Sequence, residues 1–233
     1  MTRSDHLPPQ RWKLARESLA LGARLWRAFG RLGERGPAGG EPLMVAPGFL
    51  ATDRTTLGLQ RALAEAGYRV SGWSLGWNRG ARADTLDRLT SAIERFGGGR
   101  PVVLVGWSLG GIFARAAANC RPDLLARVIT LGAPFSGDPR ANNVWRLYEF
   151  VAGHPVDAPP LEADYRTKPP VPTAALWSRQ DGIVAPAAAR GLPHESDRQV
   201  ELGCTHMGFA VAASAYPAIV AAVGQLAKEG SRR

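Results

Sequence analysis

The stretch from Pro101 to Cys120, PVVLVGWSLGGIFARAAANC, constrains the fold more than any other part of the chain. Val102–Val105 is apolar at every position, so a strand built from it carries apolar side chains on both faces. Such strands belong in parallel sheets covered on both sides. The run leads straight into Gly-Trp-Ser-Leu-Gly-Gly and then, without a spacer, into a helix-forming segment. Glycines placed two residues either side of Ser108 allow a strand to turn into a helix where Cβ atoms would collide.

The same alternation recurs along the chain. PLMVAPGF reads as a strand, DRTTLGLQRALAEAG as a helix, YRVSGWSL as a strand and ADTLDRLTSAIERFGG as a helix. After the central strand and helix come the strand ARVITLGAP, an irregular stretch from about Phe135 to Pro170, the strands VPTAALWS and RQVELG, and a closing helix AYPAIVAAVGQLAKEG. Strand–helix alternation with right-handed crossovers predicts an α/β fold: a mostly parallel central sheet with helices on both faces and a short cap insertion. The expected organisation is an N-terminal amphipathic helix and linker over residues 1–36, then one domain over 41–229 with its cap at about 135–170.

Before the first strand, residues 10–32 place Trp12, Ala15, Leu19, Ala23, Trp26, Phe29 and Leu32 at steps of three and four, with arginines mostly opposite. A basic helix of this kind either docks on its own domain or rests weakly on an anionic membrane surface. The Gly/Pro-rich GERGPAGGEP follows as a linker. The net charge of +9 is concentrated at the N-terminus, where residues 1–40 hold eight Lys/Arg against three Asp/Glu, and it lacks an aromatic-interleaved basic ladder, so nucleic acid is not an expected partner. No apolar run reaches the length of a membrane span, and the first thirty residues lack the apolar core of a signal peptide, so a cytoplasmic location is expected. Cys120 and Cys204 match no disulfide framework or metal site, and no metal is expected.

The pentapeptide GWSLG occurs twice, around Ser74 and around Ser108. A nucleophile elbow needs a strand before the serine and a helix directly after it. Ser108 has both. Ser74 is followed by LGWNRGARAD, where no helix starts before about Ala81, so it reads as a strand-end residue. Serine also needs a base, and the base needs a carboxylate to orient it. His206 follows RQVELGCT at a predicted strand end, and Asp181 in WSRQDGIV lies just beyond the preceding strand. Ser108, Asp181 and His206 are therefore the expected catalytic set. Leu109 N–H and Phe49 N–H are the expected oxyanion donors, because Pro47 in APGFLATD has no N–H. Leu50, Phe135, Trp145, Tyr148 and Met207 are candidates for an apolar substrate pocket.

These residues resemble the α/β-hydrolase superfamily, within it the bacterial lipase/esterase-like branch, from about Glu41 to Glu229. LVGWSLGGIFAR looks like the elbow and its helix, VITLGAPFSG like the following strand and turn, and WSRQDGIV and GCTHMGF like the acid and base loops. Two features depart from the pattern: Pro47-Gly48 stands where many lipases have His-Gly, and the cap is short. The resemblance implies an acyl-serine mechanism without a cofactor, acting on a small-molecule ester or a lipid. The same triad serves acyltransferases, thioesterases and amidases. A non-catalytic hydrolase fold used as a membrane-surface or partner-binding module is the reading from a different class.

Overall fold

The computed structural model describes residues 7–10, 12–14, 17, 33–161 and 163–230. Six strands form one sheet: β1 (Pro42–Ala46), β2 (Arg69–Gly72), β3 (Val102–Trp107), β4 (Leu125–Leu131), β5 (Thr173–Trp177) and β6 (Arg198–Glu201). Their spatial order is β2-β1-β3-β4-β5-β6, and every pairing is parallel. The connections carry α1 (Leu57–Glu65), α2 (Thr85–Gly97), α3 (Leu109–Cys120), α4 (Trp145–Ala152), α5 (Pro186–Arg190) and α6 (Gly208–Val211), and α7 (Tyr216–Gly230) closes the chain.

Successive side chains on a strand point to opposite faces, which sorts the core into two layers. Leu43 and Val45 of β1 and Val103 and Val105 of β3 pack with Leu59 and Leu63 of α1 and with Ile219, Val223 and Leu226 of α7. On the other face Met44, Ala46, Val102 and Leu104 meet Leu89, Ile93 and Phe96 of α2 and Phe113, Ala114 and Ala117 of α3. Each fully buried Leu, Val or Ile stabilises the fold by about 1.5–3 kcal/mol before the entropy of ordering is subtracted. Both faces of β1 and β3 are thus used, as their uninterrupted apolar sequences require.

The irregular stretch after β4 is largely turns, with α4 as its one regular helix among the described residues. Most of the expected N-terminal amphipathic helix lies outside the described residues. Of its apolar stripe only Trp12 is described, and Trp12 is 57% exposed, whereas Glu17 is buried at 2%. The linker contributes an antiparallel bridge between Arg35 and Val70 on the free edge of β2. Among the described residues no helix is long and apolar enough to cross a membrane.

Candidate active site

At the C-terminal end of β3 the chain turns into α3 through Ser108, whose φ of 54° and ψ of −123° lie in a region that β-carbon-bearing residues avoid. Such a conformation costs on the order of 1–3 kcal/mol and is held by its surroundings. The surroundings are close-packed backbone. A Cβ on Gly106 would lie 2.4 Å from the Gly110 carbonyl oxygen, one on Gly110 2.4 Å from that of Ala46, and one on Gly111 2.5 Å from the Ala133 Cβ. The Ser108 N–H donates to the Leu131 carbonyl of β4 at 2.8 Å, and its own carbonyl accepts from Gly111 N–H at 2.8 Å. Leu109 opens α3, where the first N–H groups have no partner within the helix.

The first GWSLG uses its glycine differently. A Cβ on Gly72 would sit 2.3 Å from the carboxyl carbon of Asp53. That carboxylate accepts the N–H groups of Trp73 and Ser74, each at 3.0 Å. Burial, the larger influence, pushes the Asp53 pKa up, and the two backbone bonds oppose it. Ser74 has a positive φ of 59° as well, but the next helix begins only at Thr85. It also follows β2, an edge strand separated from β3 by β1.

Asp181 and His206 come together from the loops after β5 and β6. The imidazole Nδ1 and the Asp181 Oδ2 are 2.7 Å apart, and both residues are almost fully buried. Asp181 Oδ1 accepts the N–H groups of Ile183 and Val184, each at 2.8 Å. That leaves Oδ2 to accept from Nδ1–H, so Nε2 is the basic nitrogen. Burial, the largest influence, lowers the His206 pKa. The charge and hydrogen bond of Asp181, with the charge of Glu17, outweigh it, and the pKa lies above the ordinary imidazole value. The His206 carbonyl accepts from the indole N–H of Trp107 at 3.1 Å, tying the base loop to the residue before Ser108. The neighbouring Cys204 thiol is pushed up to about 12 by burial, reinforced by the charges of Asp181 and Glu17, and stays protonated.

The loop after β1 lies against the elbow: a Cβ on Gly48 would be 3.1 Å from the Ser108 Cβ. Buried Asn78 shapes this loop, donating from its amide to the Pro47 carbonyl at 2.8 Å and accepting Leu50 N–H on its own carbonyl at 2.7 Å. The next residue, Leu50, has a φ of 53°. Among the described residues the Phe49 N–H donates to no acceptor.

Ser108 opens onto a cleft whose walls include Phe49, Leu109 and Ile112, residues of the 134–165 stretch such as Trp145 and Tyr148, and Ile183 and Val184. Among the described residues no Asp, Glu, Lys, Arg or His lines it. Of the expected pocket residues, Trp145 and Tyr148 face this cleft and Leu50, Phe135 and Met207 do not; Phe49, the expected oxyanion donor, also lines it. Phe135 is buried beneath the Arg115 guanidinium, 4.0 Å from its ring centroid. Met207 packs in the core layer shared with Phe209 and Trp107. Leu50 follows Phe49 in the strained loop, where its N–H is committed to Asn78.

Sequence reasoning missed Glu17, Asp53, Asn78 and Arg115. Each is a polar residue bonded to backbone groups distant in the chain, from 20 residues away for Asp53 to 190 for Glu17. No local periodicity marks such a residue.

No protein-family model matches the chain, and no curated protein matches it. Solved structures do. A candidate lipase from Acinetobacter baumannii AYE superposes with a TM-score of 0.63 at 16% identity, over 91% of this chain and 97% of its own. The enol-lactonase from Burkholderia xenovorans LB400 gives 0.56 at 16% identity, over 83% and 94%. A thioesterase domain from the curacin biosynthetic pathway gives 0.55 at 16% identity, over 81% and 93%. The chain has the α/β-hydrolase fold, with its parallel sheet and helices on both faces.

Proposed function

We propose that this protein is a serine hydrolase of carboxylic esters with uncharged, apolar acyl groups, of the lipase/esterase kind. The reading is carried by the buried Asp181–His206 pair, 2.7 Å apart, on the loops beyond the strained Ser108 turn. In the proposed reaction His206 Nε2 takes the Ser108 proton as the oxygen attacks the ester carbonyl. Asp181 keeps the imidazole in the tautomer with Nε2 free and stabilises the imidazolium that forms. The Leu109 and Phe49 N–H groups would receive the negative charge on the carbonyl oxygen. His206 then protonates the departing alkoxide, and water, activated by the same base, releases the acyl group from Ser108.

The named structural neighbours span a candidate lipase, a lactonase and a thioesterase, so the fold is compatible with several acyl bonds. The apolar cleft favours a substrate whose acyl part carries no charge. Purified protein is expected to give a burst with p-nitrophenyl esters and to label once with a fluorophosphonate. Labelling should vanish in Ser108→Ala and persist in Ser74→Ala; the opposite pattern overturns the assignment. Product analysis with competing alcohol and amine acceptors separates hydrolysis from acyl transfer.

A further inference from the structure

Glu17 is 2% exposed, and its carboxylate is bonded to backbone. Oε1 accepts the His206 N–H at 2.7 Å and the Gly182 N–H at 3.1 Å, and Oε2 accepts the Met207 N–H at 2.9 Å. One carboxylate, carried on a segment that precedes the first strand, therefore joins the residue after Asp181 to His206 itself. His206 is held twice, through its ring by Asp181 and through its backbone by Glu17.

The neighbouring N-terminal residues seat this contact. The Asn143 amide donates to the Pro9 carbonyl at 2.8 Å, and Lys13 Nζ donates to the Arg179 carbonyl at 2.9 Å. Gly182 leaves room for the segment, since a Cβ there would lie 2.5 Å from the Lys13 carbonyl oxygen. Burying a carboxylate is costly unless its lone pairs are satisfied, and hydrogen bonds to an ionised acceptor are roughly twice as strong as neutral ones. Three such bonds converging on two loops give a rigid clamp where catalysis demands one.

We propose that Glu17 is a positioning residue of the active site, holding the acid and base loops in register and facing the base with a second negative charge. This rests on the triad reading above. Among the described residues Asp181 and Glu17 are the charged groups that act on the His206 imidazole, and the adjacent Cys204 thiol is neutral. When Ser108 surrenders its proton, the positive charge on His206 forms beside two carboxylates. Loss of the Glu17 charge should then lower the pKa of the base.

Glu17→Gln keeps the shape, removes the charge and leaves one oxygen for three N–H groups; Glu17→Asp keeps the charge on a shorter arm. With p-nitrophenyl butyrate, and rates normalised to sites titrated by fluorophosphonate, kcat of Glu17→Gln should fall about tenfold to a hundredfold. Its KM should change by less than about threefold, because the cleft is untouched. The acidic limb of its kcat/KM profile should move to lower pH, while Glu17→Asp should lose rate with the limb nearly unmoved. A readout independent of turnover is the NMR titration of the His206 imidazole in full-length Ser108→Ala, expected to shift down when Glu17→Gln is added. Unchanged kcat per site and an unchanged His206 titration overturn the proposal, as does a loss of titratable sites with kcat per remaining site and the limb unaltered. If Glu17→Gln does not fold, an undiminished kcat per site in Glu17→Asp overturns it. If the wild type neither labels nor turns over esters while the His206 titration follows Glu17, the hydrolase reading falls and the coupling stands.

Discussion

Ser74 and Ser108 share five letters and the sign of φ, yet their surroundings assign them different work. At Ser74 the backbone N–H is consumed by Asp53, whose carboxylate needs Gly72 to come close. At Ser108 the glycines let α3 start against β1, which leaves the Leu109 N–H at the free head of a helix. The flanking glycines thus serve unrelated ends: in the first copy Gly72 admits the Asp53 carboxylate and Gly76 takes a φ of +80°, whereas Gly106 and Gly110 of the second make room for backbone. This is why the motif by itself cannot choose, and why the strand–helix context could. His206, the proposed base, has its own measurable signature. Its pKa is raised, chiefly by Asp181 against the opposing effect of burial, and Nε2 accepts a proton only when the ring is neutral. Activity should thus be present above that pKa and disappear as the pH falls through it. The acidic limb of kcat/KM is expected above the ordinary imidazole value of about 6.5. Asp181→Asn should bring the limb down while cutting kcat, and a wild-type limb well below the ordinary value would contradict the described pairing.

At the scale of elements, strands were the most legible part of the chain. β3 carries apolar side chains on both faces because both faces are covered, and the proposed elbow, acid and base were read from what followed each strand. The cap was less legible, because its tertiary anchor is a polar residue inside a helix that otherwise reads as apolar. Fully buried Arg115 of α3 donates to the carbonyls of Tyr165, Arg166 and Thr167 at 2.7, 3.0 and 3.2 Å and stacks over Phe135. Burial lowers its pKa to about 10, opposed by the charges of Glu195 and Asp164, so it remains protonated at neutral pH. Nothing in GIFARAAANC indicates that this arginine points inward to a segment fifty residues on. Arg115→Ala would remove the donors to these three carbonyls, unstack Phe135 and open a void, costing about 3 kcal/mol. For a chain of this size that corresponds to a Tm lower by roughly 6–12 °C. Because Leu161 and Tyr165 belong to the cleft wall, KM should rise as well. A melting temperature within about 1 °C of wild type would show that the arginine does not anchor the cap.

Over the whole molecule two electrostatic effects oppose one another at the cleft. The chain carries a net charge of +9, which draws anions toward it. The cleft, assembled from the loop after β1, the head of α3, the 134–165 stretch and the loop after β5, offers among its described residues no charged side chain to an anion that enters. The attraction is long-ranged and screened over about 8 Å at physiological salt. Burying an unpaired carboxylate costs several kcal/mol, and each ~1.4 kcal/mol is a factor of ten. Desolvation should therefore win. A matched pair of probes tests this: p-nitrophenyl hexanoate and mono-p-nitrophenyl adipate differ by a terminal carboxylate on a chain of the same length. At about 0.15 M salt the neutral ester is expected to have the higher kcat/KM by a factor of about 100 or more. Lowering the salt should narrow the ratio by strengthening the attraction, without inverting it. Equal rates at physiological salt, or a preference for the carboxylate, would mean that a cation reaches the acyl group in the complex and that the cleft does not select for neutral substrates.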